Sequence, residues 1–179
     1  MKKLLLLLGI IALATTSGCS GPEGPQGATG YSAESEVLEM QHVNFDLDAN
    51  GYFIRRTFNT MRGGNILNSD NVLIYRMTGT VNAQTPIWQS IPNRLFLQQG
   101  ELDYDFDFTQ QDFTIMADGT YNLGLTPAYI NDQTFRIVII PGYFGNRNAN
   151  ASAPQVDLTN YNDVIRAYHI DESKMIISN

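Results

Sequence analysis

Between Glu101 and Phe108 the chain alternates strictly, with Leu102, Tyr104, Phe106 and Phe108 apolar and Glu101, Asp103, Asp105 and Asp107 acidic. Successive side chains of a strand point to opposite faces, so this stretch can bury its apolar set only as a β-strand with one face in water. A helix would scatter both sets around its axis. The alternation therefore demands a sheet, and a sheet demands something to cover it. A turn at Gln99-Gly100 would place Leu97 opposite Leu102, Leu95 opposite Tyr104 and Arg94 opposite Asp105, apolar on one face and an ion pair on the other.

The same grammar recurs. Val43, Phe45 and Leu47 alternate with polar residues and lead into Asn50-Gly51, a strong hairpin signal. Pairing outward from that turn sets Leu47 opposite Ile54, Val43 opposite Phe58 and Asp46 opposite Arg55. Further strands are expected at 71–77, 87–89, 94–98, 101–109, 113–117 and 134–140. Phe135 to Ile140 is interrupted only by Arg136 and ends at Pro141-Gly142, which reads as a central strand covered on both sides.

One helix is expected near the end, because Leu158, Tyr161, Val164, Ile165 and Tyr168 recur at three- and four-residue spacing. Asp157 or Thr159 would cap it, and His169 would sit at its C-terminus. Residues 145–150 read as an exposed loop. The expected fold is mainly β, an antiparallel β-sandwich of about seven to nine short strands with one C-terminal α-helix.

The N-terminus sets location. Lys2 and Lys3 precede an apolar run from Leu4 to Ala14, and Thr15, Thr16, Ser17 and Gly18 lead into Cys19. The run is shorter than the roughly 20 residues a membrane span requires. It has the layout of a lipoprotein signal peptide over residues 1–18, with Cys19 as the lipidation site that bears a diacylglycerol and a further acyl chain such as palmitate. Ser20, in place of an aspartate, directs such a protein to the outer membrane. The expected localisation is the cell envelope, lipid-anchored.

Residues 19–33 form a tether in which Gly21, Gly24, Gly27 and Gly30 fall at every third position, the spacing of a collagen helix. So few triplets set few interchain hydrogen bonds against the entropy of ordering three chains, so a monomeric spacer is expected, with a trimer as the alternative. Residues 34–179 form one domain. Removing the leader takes away Lys2 and Lys3 and no acidic residue, so the net charge moves from −7 to −9. That charge argues against nucleic-acid partners. The one cysteine is Cys19, which leaves the domain without disulfides, thiolate metal sites or a cysteine nucleophile.

The lipid cysteine with its Gly-Pro-x triplets, together with 71–76 (NVLIYR), 87–92 (IWQSIP), 135–141 (FRIVIIP) and the 158–168 helix, resembles a group of short bacterial lipoproteins of unassigned function with collagen-like triplets. The resemblance spans nearly the whole chain. It implies the same anchored, one-domain layout and brings no activity with it.

Motifs for chemistry are sparse. Gly-x-Gly-x-x-Gly turns, a redox cysteine pair, His-Glu-x-x-His, Gly-x-Ser-x-Gly and phosphate loops do not occur. His42 and His169 read as surface residues, and an enzyme is not expected. Asp46, Asp48 and Asn50 with Gly51 match the first half of a calcium loop, but Thr57 stands where the closing glutamate belongs, so a plain turn is preferred to Ca2+. The row Glu101, Asp103, Asp105, Asp107 reads as a hydrated outer face relieved by Arg94. Trp88, between Pro86 and Pro92, reads as packing against the sheet, with a sugar-stacking platform as the alternative. Function is thus expected to be a non-enzymatic binding or structural module for an unknown envelope protein or glycan, with a calcium- or glycan-binding module as the second reading.

Overall fold

The structure is a computed structural model and describes residues 35–142 and 156–178. The expected signal peptide, Cys19, the glycine triplets and the 145–150 loop lie outside these residues. The domain is mainly β, with ten strands: β1 (Glu36–Val43), β2 (Asp46–Asp48), β3 (Gly51–Thr57), β4 (Asn71–Asn82), β5 (Thr85–Ile91), β6 (Asn93–Leu97), β7 (Gly100–Phe108), β8 (Asp112–Gly119), β9 (Gln133–Ile140) and β10 (Ile176–Ser178). A short α1 (Phe58–Arg62) follows β3, and α2 (Tyr161–Ala167) lies near the end. No helix among the described residues is long and apolar enough to cross a membrane.

The strands form two five-stranded sheets in the orders β10-β1-β9-β4-β5 and β2-β3-β8-β7-β6. Alternate residues of each sheet face the other and interlock. Leu38, Met40, Val72, Ile74, Phe135, Ile137 and Ile139 from the first sheet join Ile54, Leu102, Tyr104, Phe113, Ile115 and Ala117 from the second in one buried cluster. Pairing is antiparallel with one exception, since β10 runs parallel to β1. The sandwich is thus mostly antiparallel as expected, and the exception joins the first and last strands of the described domain, which no short connection constrains to run in opposite directions.

β9 is the central strand of its sheet, buried on both faces as its sequence demanded. Phe135, Ile137 and Ile139 enter the sandwich core, while Val138 and Ile140 join Val37, Tyr75, Tyr161, Val164 and Ile170 in a second cluster under α2. The α2 cap is Asn160, whose side chain accepts the N–H groups of Asn162 and Asp163, rather than Asp157 or Thr159. Asp157 instead accepts both the N–H and hydroxyl of Thr159, closing the turn before the helix. The expected stripe survives in Tyr161 and Val164, while Leu158 precedes the helix and is exposed.

Both hairpins turn one residue earlier than expected, which moves each strand partner by two, and for the same reason. Asp48 pairs with Gly51 around Ala49-Asn50, and Leu97 with Gly100 around Gln98-Gln99. An Asn-Gly type I′ turn needs positive φ at both central residues, yet Asn50 is not among the positive-φ residues. Gly51 and Gly100 instead occupy the position after the turn at φ +121° and +143°, where a type I turn favours glycine. An even shift keeps every side chain on its expected face but changes its partner. Leu47 now lies opposite Tyr52, Asp46 opposite Phe53, Leu95 opposite Leu102 and Arg94 opposite Asp103.

The expected Asp46–Arg55 pair is therefore not formed, and Arg55 Nε donates to Thr114 Oγ1 at 3.1 Å. Val43, Phe45 and Leu47 do not form one strand either. Val43 ends β1 opposite Gln133 in the first sheet, Phe45 enters the core, and Leu47 lies on the fully exposed three-residue edge strand β2. The break comes where the chain changes sheets, a step that local alternation cannot register.

These turn geometries predict a graded response to alanine. Gly51→Ala meets open space and suffers only the backbone strain of its φ, on the order of 1–3 kcal/mol. Gly100→Ala adds a Cβ only 2.5 Å from Thr120 Oγ1. Denaturant unfolding should find Gly100→Ala the less stable of the two variants.

Candidate functional site

The outer face of the first sheet carries a buried charge. Arg136 on β9 lies directly opposite Glu39 on β1, and both side chains are nearly closed off from solvent at 12 % and 6 % exposure. Its Nε donates to Glu39 Oε2 at 2.6 Å, and one terminal nitrogen donates to Glu172 Oε1 at 2.6 Å and to the Tyr161 hydroxyl at 2.7 Å. The Tyr161 hydroxyl in turn donates a hydrogen bond to Glu172 Oε1 at 2.8 Å. Burial pushes the Tyr161 hydroxyl above its ordinary value, so it remains a donor. Burial also pulls on Arg136 in the opposite direction, but the hydrogen bond and charge of Glu39 with those of Tyr161 and Glu172 outweigh it and keep the guanidinium charged.

Two aromatic rings close this cluster. Trp88 on β5 lies 4.3 Å from the Arg136 guanidinium and Tyr161 4.9 Å, both measured to ring centroids. The rings of Trp88 and Tyr161 are 5.7 Å apart. A cation held against ring faces in a dry setting is stabilised by up to about 2 kcal/mol, more than an exposed pair. Trp88 is accordingly half-buried and backed by the sheet, as the packing reading of the sequence required. Part of it nevertheless borders open space, so the second reading keeps its geometric basis.

That space is a groove of about 510 Å3 between the β4–β5 ribbon and residues 157–162. The ribbon supplies Val81, Thr85, Pro86, Ile87 and Trp88, and it projects because β4 pairs with β9 only as far as Arg76 while continuing against β5 to Asn82. The opposite wall supplies Asp157, Thr159, Asn160, Tyr161 and Asn162. It is held in place by Tyr75, whose hydroxyl donates to the Leu158 carbonyl at 2.7 Å, and whose ring meets Tyr161 edge-on at 5.2 Å.

The other candidates are placed elsewhere. Asp46 and Asp48 lie on β2 and Asn50 in the turn, where Asp48 accepts the Asn50 N–H at 2.7 Å. Among the described residues no group of three or more His, Cys, Asp or Glu could hold a metal ion. In the acidic row, Arg94 binds Asp103 at 2.6 Å and Glu101 at 3.0 Å, so the pairing shifts by one strand step from the expected Asp105. Asp105 accepts the N–H of Phe106 at 2.8 Å, where β7 runs past its last β6 partner, and so blunts an open strand edge. His42 and His169 are both exposed, and His42 meets Asp132 at 2.6 Å.

Glu39, Arg136, Glu172 and the rim asparagines were not singled out in the sequence. The usable signal was Arg136 itself: one cation in a strand covered on both faces must have its counter-charges nearby.

Breaking the buried pair on one side should be expensive. Arg136→Met or Glu39→Leu alone should destabilise by about 3–5 kcal/mol, since each strands an opposite charge. The double variant should recover at least about 1 kcal/mol relative to the sum of the two single losses. Simple additivity in urea unfolding would contradict the assignment.

Comparison of the chain with protein-family models, curated proteins and solved structures finds no match.

Proposed function

We propose that this chain is a cell-envelope lipoprotein, held at a membrane through lipid on Cys19, and that its β-sandwich works by binding or scaffolding rather than catalysis. The observation that carries the reading is the N-terminal run of Lys2, Lys3, an apolar segment, four small or hydroxylated residues and the chain's one cysteine. Each element falls where lipid transfer and signal cleavage need it. Ser20 favours the outer membrane, and the resemblance to short envelope lipoproteins points the same way.

Binding is favoured over catalysis by the chemistry of the outer face. The groove offers stacking surface and hydrogen-bonding groups, while its charged neighbours Arg136, Glu39 and Glu172 are already tied to one another. The acidic balance disfavours nucleic acid and leaves an envelope protein or a glycan as the partner class. A calcium role at Asp46, Asp48 and Asn50 has less support, because Asp48 already serves its own turn.

Labelling of growing cells with an alkyne palmitate should mark the wild-type chain and not Cys19→Ser. The variant should also keep its leader and run as the longer precursor. Equal labelling and processing of the two would remove the anchor and with it the envelope reading.

A further inference from the structure

We propose that the groove between the β4–β5 ribbon and residues 157–162 is a carbohydrate site for an uncharged hexopyranose unit of a glycan. This inference rests on reading the chain as a binding module and names the ligand of one face. A pyranose ring has an apolar C–H face and a girdle of hydroxyls. It is therefore recognised by a fixed aromatic surface bordered by groups that can both donate and accept hydrogen bonds.

The groove supplies both. Trp88 is immobilised before any ligand arrives, with the Arg136 guanidinium 4.3 Å from its centroid and the Tyr161 ring at 5.7 Å. A platform already ordered contributes its contact area at little entropic cost. On the facing wall the polar residues are also pre-set. Asn160 uses its Oδ1 on the N–H groups of Asn162 and Asp163, which leaves its Nδ2 as an oriented donor among the described residues. The Asn162 side-chain amide makes no hydrogen bond among the described residues and adds one donor pair and one acceptor. Asp157 is held below the usual carboxylate range by hydrogen bonds from Thr159, so it stays an ionised acceptor near neutral pH.

Size and charge narrow the class. About 510 Å3 falls within the roughly 300–1,000 Å3 of small-ligand sites. The Asp157 carboxylate on the rim and a chain of net charge −7 oppose phosphate, sulfate or uronic-acid groups. An uncharged sugar satisfies the wall without that repulsion.

The chain contains one tryptophan, so its fluorescence reports on this groove alone. Full-length protein in detergent should be titrated with short oligomers of glucose, mannose, galactose and N-acetylglucosamine, and with oligogalacturonate as the anionic control. The expected result is a saturable change with at least one neutral oligomer and none with oligogalacturonate. Asn162→Ala, an exposed change outside the packed cluster, should bind roughly tenfold more weakly at an unchanged melting temperature. Trp88→Phe keeps a ring against Arg136 and should bind more weakly by calorimetry, while Trp88→Ala should not bind. The proposal is overturned by no saturable response to any neutral oligomer, by an equal response to oligogalacturonate, or by affinity that ignores both Asn162→Ala and Trp88→Phe. Sugar binding that fails while Cys19 is still acylated removes this inference alone, and an unmodified Cys19 with sugar binding intact removes only the envelope location.

Discussion

A single buried guanidinium organises the outer half of this domain. A charge placed in the middle of a central strand would be intolerable unless several partners converged on it, and at Arg136 they come from four separate stretches of chain: Glu39 on β1, Trp88 on β5, Tyr161 on α2 and Glu172 beyond the helix. Each stretch is thereby told where to sit. α2 is only seven residues long and would be marginal alone, so its position depends on Tyr161 and Val164 packing against the sheet and on the hydroxyl that reaches Arg136. The charge gives specificity to a surface that apolar contacts alone would leave free to slide.

The groove is a consequence of the same arrangement. Arg136 fixes Trp88 from one side, while Tyr75 fixes residues 157–160 by bonding the Leu158 carbonyl. The two walls meet at their base, where the Tyr161 ring lies against both Trp88 and Tyr75. The second sheet carries a cavity of its own, about 580 Å3, but charged residues, Arg94, Asp103, Asp105 and Asp118, make up much of its lining and no tryptophan borders it. There Arg94 sits over Glu101 and Asp103 in exposed pairs of the kind that contribute little, and Asp105 covers a strand edge. The two outer faces thus differ in chemistry: exposed ion pairs on the second sheet, and a buried cation with aromatic rings on the first.

A second cation, Arg76, is handled differently and marks the contrast. It points into the sandwich, donates to Gln133 Oε1 at 2.9 Å and lies 4.7 Å from the Tyr104 ring, with no carboxylate paired to it among the described residues. Tyr104, buried and pushed up to about 12, donates in turn to the Tyr129 carbonyl. This network ties β4, β7 and β9 together across the core.

The fold class was legible because alternation is a local property. β7 and β9 could be placed from their own residues, one face acidic in the first and both faces apolar in the second. Turn residues gave the right hairpins and the wrong partners, since glycine can serve either inside a turn or just after it, and only the dihedral angles of Asn50 and Gln99 decide between them. β1 was largely missed because Glu39 interrupts its apolar run, and Glu39 is tolerated only through Arg136, which lies 97 residues later. β10 and α1 are too short to carry a period. Trp88 was visible as a candidate, but the wall facing it comes from residues whose polar character looked like an ordinary helix cap. What sequence cannot supply is which distant segments share a surface.

The most direct test of this account is hydrogen exchange in Arg136→Met. The hydrogen-bonded amides of α2, such as Val164 N–H on the Asn160 carbonyl and Tyr168 N–H on that of Val164, should exchange markedly faster in the variant than in the wild-type chain, while β8 and the buried half of β7 should exchange at the same rate in both. Unchanged exchange across residues 161–168 would mean that Arg136 does not hold the helix in place, and the central claim would fail.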